Sequence, residues 1–343
     1  MKVIHTKKQL IHAPKQFMAA GKFHPHPEVP ERAEILMNAA KEFGLTPEQP
    51  KDYQLSYINK IHTERYIHYL QTIFKRWDRK KNTSEEVFPD IHPDRRDCGY
   101  PDSAEGQSGF HHADLSSPVG PYTWEAASWS AHSATHAAML VKNGEEACYA
   151  LSRPPGHHAA KDYAAGFCYL GNTAIAAQTL REKFKKIAIL DIDVHHGNGT
   201  QDIFYERDDV FTVSIHADPV RFYPFCWGHA NETGKNKGQG YNLNLPLTRD
   251  TKDKEYLITL QHALDCIEKF SPDALVVALG LDAYEKDPLQ GFSITTGGFK
   301  KIGREIGDTM LPTVIVQEGG YVCPELGVNL SSFLEGFIIG RKI

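Results

Sequence analysis

Five short stretches of the 343-residue chain carry side chains whose types and spacing could do chemistry together: RPPGHH (Arg153 to His158), DIDVHHGNG (Asp191 to Gly199), HAD (His216 to Asp218), LDAYEKD (Leu281 to Asp287) and EGGY (Glu318 to Tyr321). Asp193 and His195 are two apart, so on an extended backbone they project to the same side. With Asp282 they make two carboxylates and one imidazole, a set that leaves a coordination position open and suits a catalytic zinc or a related divalent ion. A lone D-x-H is weak, and Asp282 alone would read as a helix cap; together they point to a metal.

The other stretches supply the remaining parts of a hydrolytic site. His157 and His158 are adjacent and cannot easily both reach one metal, but they can line one wall, and imidazole moves protons near neutral pH. Asp191 and Asn198 are the candidates to stand behind the two rings and fix their tautomers. Gly319 and Gly320 permit a sharp turn that brings the Tyr321 phenol toward the metal, where it could donate to a carbonyl oxygen. The set reads as metal-assisted hydrolysis of an amide.

The elements that must position these residues follow from the apolar runs before them. ACYALS, KIAIL, VFTVSI, ALVVALG and TVIVQ each end where a polar stretch begins. Helices are expected over Pro30 to Phe43, Thr63 to Arg79, from Trp124 onward, Asn172 to Phe184, from near Thr200, Lys254 to Phe270 and Thr296 to Thr309. Short β-branched runs alternating with helices imply a parallel sheet covered on both faces. Ligands then bind beyond the carboxyl ends of the strands. GKFHPHPEVP reads as a loop, and Pro219 to Gly240 as a hairpin-like one. Lys81 to Pro121 is a long segment dense in Pro, Gly, Asp and His, expected to be an ordered lid or contact surface. No linker or repeat divides the chain, so one domain is expected over residues 1–343.

Bulk composition excludes several classes. Hydrophobic residues are 41% and charged residues 24%, with a net charge of -5, which gives no general attraction to nucleic acid or anionic membrane. KRWDRKK is the one dense basic run and suits a solvated helix end. No apolar run is long enough to span a membrane. Six dispersed cysteines without C-x-x-C spacing read as free thiols, and the cytoplasm is the expected compartment.

RPPGHHA, DIDVHHGNGTQDIFY, LGLDAY and EGGY resemble the signature segments of the histone deacetylase superfamily, and the resemblance extends along the whole chain. AEGQSG and YTWEAA are most similar to its bacterial acetylpolyamine amidohydrolase branch. The resemblance implies the arginase–deacetylase fold, an α/β single domain with a central, mostly parallel eight-stranded sheet flanked by helices. It implies zinc (with iron or cobalt as alternatives) on Asp193, His195 and Asp282, with Tyr321 polarising the carbonyl. His158 is the implied general base and acid, backed by Asn198, and His157 its electrostatic partner on Asp191. Structural potassium is implied at Asp191, Asp193, His195, Ser214 and Ile215, and at carbonyls around Phe204, Arg207, Val210 and Tyr241.

The same branch implies a small cationic acetylated amine as substrate and a homodimer formed through the Lys81 to Pro121 insertion, which narrows a substrate tunnel. Glu105 matches a carboxylate at the tunnel mouth; a second acidic residue there aligns with Ser116, leaving Asp114 as its candidate replacement. Gly166, Phe167 and Tyr223 are the expected tunnel wall, with Phe222 and Phe225 competing for the place of Tyr223. His24 and His26 could reach the rim or lie on the surface, while Glu285 and Asp287 read as solvated acids. The rival readings are a deacetylase of protein lysine or another small acetylated amine, a two-metal ureohydrolase, and a binding module on a hydrolase fold.

Overall fold

The computed structural model describes residues 1–80, 82–93 and 97–342. Lys81, the expected start of the insertion, lies outside them. Strand β1 (Lys2–Ile4) is followed by a hairpin of β2 (Gln16–Ala19) and β3 (Lys22–Pro25), then helix α1 (Pro30–Glu42), strand β4 (Thr46–Glu48), and helices α2 (Glu64–Asp78) and α3 (Ala104–His111). The alternating part comprises α4 (Thr123–Lys142), β5 (Ala147–Ala150), α5 (Asn172–Leu180), β6 (Ile187–Asp191), α6 (Asn198–Phe204), β7 (Val210–Ala217) and β8 (Asn242–Leu247). It continues through α7 (Asp253–Phe270), β9 (Ala274–Leu279), α8 (Thr296–Gly307) and β10 (Thr313–Gln317) to the carboxy-terminal α9 (Leu326–Gly340).

Eight strands form one sheet in the order β4-β1-β5-β10-β9-β6-β7-β8, and every neighbouring pair is parallel. The chain steps outward from β6 to β8, then returns to lay β9 and β10 between β6 and β5. Consequently β5, β10, β9, β6 and β7 are consecutive, and these are the five strands that run into the polar stretches.

The apolar strands bury both faces, and their period of two divides the core. Ile187 and Ile189 of β6 and Val276 of β9 pack with α4 and α5 on one face. Ala188, Leu190 and Val277 pack with α1, α7, α8 and α9 on the other. Local chemistry sets helix limits: Thr63 accepts a 3.2 Å bond from Tyr66 N at the start of α2, whose inner face carries Tyr66, Tyr69, Leu70, Ile73 and Trp77.

Three segments depart from the sequence expectation. The GKFHPHPEVP loop begins with β3, because Ala20 and Gly21 both take positive φ and close a two-residue turn. The Lys81 to Pro121 segment contains α3, capped by the Ser103 hydroxyl on Gly106 N at 3.0 Å; two glycines in AEGQSGFH hide the helical pattern. Pro219 to Gly240 is not a hairpin. Most of its backbone bonds are local, such as Phe225 N to Phe222 O and Gly238 N to Lys235 O, because prolines and glycines interrupt any ladder. No helix among the described residues is long and apolar enough to cross a membrane.

Candidate active site

Asp193 and His195 follow β6, and Asp282 follows β9, its neighbour in the sheet. Their ligand atoms all lie within 4.8 Å of one another. His195 Nδ1 is 3.2 Å from Asp193 Oδ1 and 3.2 Å from Asp282 Oδ2. Backbone donors aim the carboxylates: Gly319 N on Asp193 Oδ2 at 2.7 Å and Val194 N on Asp282 Oδ1 at 3.1 Å. Gly319 must be glycine, since a Cβ there would meet Asp282 Oδ2 at 2.2 Å.

These residues fit a divalent metal. Both carboxylates are fully buried, and among the described residues neither has a lysine or arginine ion-pair partner. Burial, with the Asp193 charge beside it, pushes Asp282 up to about 6. Two buried carboxylates crowded on one imidazole are stabilised by a bound dication.

The two adjacent histidines have different partners. His157 Nδ1 is 2.9 Å from Asp191 Oδ2, whereas His158 Nδ1 is 2.7 Å from the amide oxygen of Asn198. Burial disfavours charge on His157, but Asp193 and Asp191 outweigh it and hold the ring up to about 10. His158 is pushed well below the ordinary value by burial and by the rings of His157 and His195. The surroundings thus favour charge on one imidazole and disfavour it on its neighbour. With Nδ1 donating to Asn198, His158 presents Nε2 as a free base.

Two residues bracing this centre were not anticipated as site residues. Glu318, fully buried, accepts Gly156 N at 2.5 Å, His157 N at 3.0 Å and the Thr173 hydroxyl at 2.7 Å, and so holds the RPPGHH turn against the end of β10. Burial raises it to about 7. A grouping of His157, Cys168 and Glu318 has metal-like spacing, but its imidazole and carboxylate atoms are committed to these hydrogen bonds. Arg32 of α1 donates to the carbonyls of Gly320 and Glu318 at 2.5 and 2.7 Å and pairs with Glu28 at 2.8 Å, and its guanidinium lies 4.8 Å from the Tyr321 ring. Glu318 was legible as the acid preceding Gly319; Arg32 had no local signal.

Asp287 is a correction. It is 1% exposed and accepts Tyr321 N at 2.8 Å and Leu289 N at 2.9 Å. Burial and Asp282 push it up to about 7. A carboxylate that accepts two backbone donors can be buried where the sequence suggests a surface acid.

Above this floor lies a cavity of about 500 Å³. His158, His195, Asn198 and Tyr321 meet it at the bottom; Phe167, Gly166, Tyr223, Asp114 and Ser116 form walls, joined by Phe17 and Met18 of the unforeseen hairpin. Phe222 stacks on His195 at 5.0 Å, and the Tyr223 ring stands edge-on to His158 at 5.0 Å. Phe225 and Trp227, 57% and 52% exposed, border the opening. Gly166 takes φ +51, and a Cβ there would meet His158 Cδ2 at 2.3 Å. His26 is buried, 4.6 Å from the Phe167 ring, while His24 is exposed.

Glu105 is not brought to this cavity. It sits on α3, ion-paired with Lys80, and borders a different hollow with Trp77 and Phe88. Among the residues named for potassium, Asp191 and Ser214 are register partners across β6 and β7. Phe204 O accepts Arg207 N, and Tyr241 O accepts Thr212 N, near Val210 at the start of β7. Ile215 is buried in β7.

The chain matches the histone deacetylase domain over residues 26–337 and belongs to that family. It is an enzyme of the amide-hydrolysing, deacetylase type, and the family implies a metal ion. It is 44% identical over 333 residues to the acetylpolyamine amidohydrolase of Burkholderia pseudomallei (strain 1710b), spanning 96% of each chain. The acetylpolyamine amidohydrolase of Mycoplana ramosa is 39% identical over 338 residues, spanning 98% of this chain and 99% of that one. The crystal structure of acetylpolyamine aminohydrolase from Burkholderia pseudomallei matches with a TM-score of 0.97 at 42% identity, covering 99% of both chains.

Proposed function

We propose that this enzyme hydrolyses the acetyl amide of acetylated polyamines, releasing acetate and the free amine. The observation that carries the reading is the unequal histidine pair, His157 on Asp191 and His158 on Asn198, with His158 at the bottom of an aromatic-walled cavity beside three converging candidate metal ligands. Such walls suit a thin methylene chain, and two relatives similar over nearly their whole length are named for acetylpolyamines.

Zinc, or iron or cobalt in its place, bound by Asp193, His195 and Asp282 would supply Lewis acidity toward a carbonyl and toward water. His158 Nε2 takes a proton from the water that attacks the carbonyl carbon. Tyr321 donates a hydrogen bond to the oxygen that gains charge, and His157, on Asp191 behind His158, is its electrostatic partner. His158 then returns its proton to the amine nitrogen as the C–N bond breaks, and the water oxygen leaves in acetate.

Two potassium ions complete the reading, one at Asp191, Asp193, His195, Ser214 and Ile215 and one at Phe204, Arg207, Val210 and Tyr241. Their oxygen donors suit a hard cation. The insertion pairs two copies of the chain, and in that pairing Glu105 has its role at the mouth. The test is turnover by metal-reconstituted enzyme of an acetylated diamine, acetylspermidine and an acetyl-lysine peptide. Faster hydrolysis of the first two is expected; preference for the peptide overturns the substrate assignment, and full activity after chelation overturns the metal.

A further inference from the structure

We infer that Asp114 is a positioning residue that holds the wall around His158 and ties the insertion to the catalytic base, and is not a receptor for the substrate's distal ammonium. Its carboxylate is already shared out. Oδ2 accepts the Tyr223 hydroxyl at 2.6 Å and Gly166 N at 3.0 Å, and Oδ1 accepts Ser116 N at 2.8 Å. The first two partners are the surfaces that confine the general base. The Tyr223 ring stands at 88° to His158 with centroids 5.0 Å apart, and Gly166 lies so close to the same imidazole that a Cβ would overlap it.

The backbone reinforces the link. His112 pairs with Ala164 in a parallel bridge, and Ala113 N donates to Ala164 O at 2.9 Å, so the chain leaving α3 runs beside the loop that carries Gly166 and Phe167. Asp114 is where this stitched segment reaches across to Tyr223, which comes from the separate loop after β7. Without the carboxylate, the two sides of the wall lose their common acceptor, and the imidazole loses its fixed position toward the attacked carbonyl.

The experiment uses the metal-loaded enzyme and two substrates of equal length: an acetylated diamine, with an ammonium at its far end, and an acetylated monoamine without one. Asp114→Ala is expected to lower kcat roughly 10- to 100-fold on both substrates with little change in KM, since small misplacement of a base is costly. Asp114→Asn keeps a carbonyl acceptor and is expected to stay within about threefold of the parent. Tyr223→Phe, which removes only the hydroxyl, is expected to lower kcat, and combining it with Asp114→Ala to add little further, because the two act as one unit. Thermal melts of each variant accompany the rates, and if Asp114→Ala does not fold, the Asn and Phe variants carry the comparison. A rise in KM confined to the diamine, additive losses, or an Asn variant as impaired as Ala overturns the assignment. The choice of substrates rests on the polyamine reading. That reading fails separately, if the parent enzyme treats both alike, while equal kcat loss still tests Asp114.

Discussion

The floor of the site and its mouth are built on different principles. At the floor, Asp191, Asp193, Asp282 and Glu318 are buried at the ends of consecutive parallel strands, and backbone N–H groups hold each of them. Around the mouth, Phe17, Phe225 and Trp227 come from a hairpin and an irregular loop, and the last two stand half in solvent. A sheet fixes atoms to fractions of an ångström, which proton transfer needs; loops offer exchangeable apolar area, which is enough to choose a chain length. On the proposed function, the reacting groups belong to the strand ends and the selectivity to the loops of the mouth.

The sharpest way to break that division is to replace the proposed base at the floor. His158→Ala is expected to lower kcat by about 10³-fold, and His157→Ala by less, because the latter removes a charge and leaves the proton relay; rates in the opposite order would reverse the two assignments. Tyr321→Phe is expected to lower kcat by about 10²-fold with metal content unchanged by elemental analysis. Unchanged turnover would remove the phenol from the mechanism.

Acid acts on stability through buried histidines, four of them in the amino-terminal shell and one, His216, in β7, where burial also holds it down to about 4. His5, His26, His62 and His111, all in the first 120 residues, are held down to about 4, chiefly by burial. His26 accepts Glu28 N and His62 accepts Gly171 N, bonds that protonation destroys. Their folded values lie below the ordinary one near 6.5, so the unfolded chain binds more protons in between. Stability is therefore full above about 6.5 and lost as pH falls toward 4. Hydrogen exchange is expected to show this shell loosening before β6, β9 and β10, none of which contains a histidine; simultaneous loosening would count against it. The smallest effect belongs to the mouth: Trp227→Ala is expected to change KM a few-fold with kcat preserved, in keeping with loss of part of one apolar wall, and a large fall in kcat would join mouth and floor into one unit.

Much of the floor was legible in the sequence because parallel strands announce themselves as apolar runs, and the residue types at their ends are costly to bury without a task. Asp193, His195, Asp282, His157, His158 and Tyr321 are legible that way as candidates. The wall was less legible. Phe17 and Met18 lie on a hairpin whose turn, Ala20 and Gly21, is hidden among histidines and prolines. Asp287 looked like a surface acid because its two backbone donors, on Tyr321 and Leu289, cannot be seen in a composition.

By itself the sequence determined the strand ends, the metal-ligand types and the hydrolytic family, since these depend on periodicity and on residue chemistry at short spacing. Tertiary structure alone decided which carboxylate stands behind which histidine and that Glu318 and Arg32 brace the turns. It also sent Glu105 to Lys80 and Asp114 to Tyr223. Those contacts join residues that are distant along the chain, and hydrogen bonds and burial between such residues are set by how the layers pack.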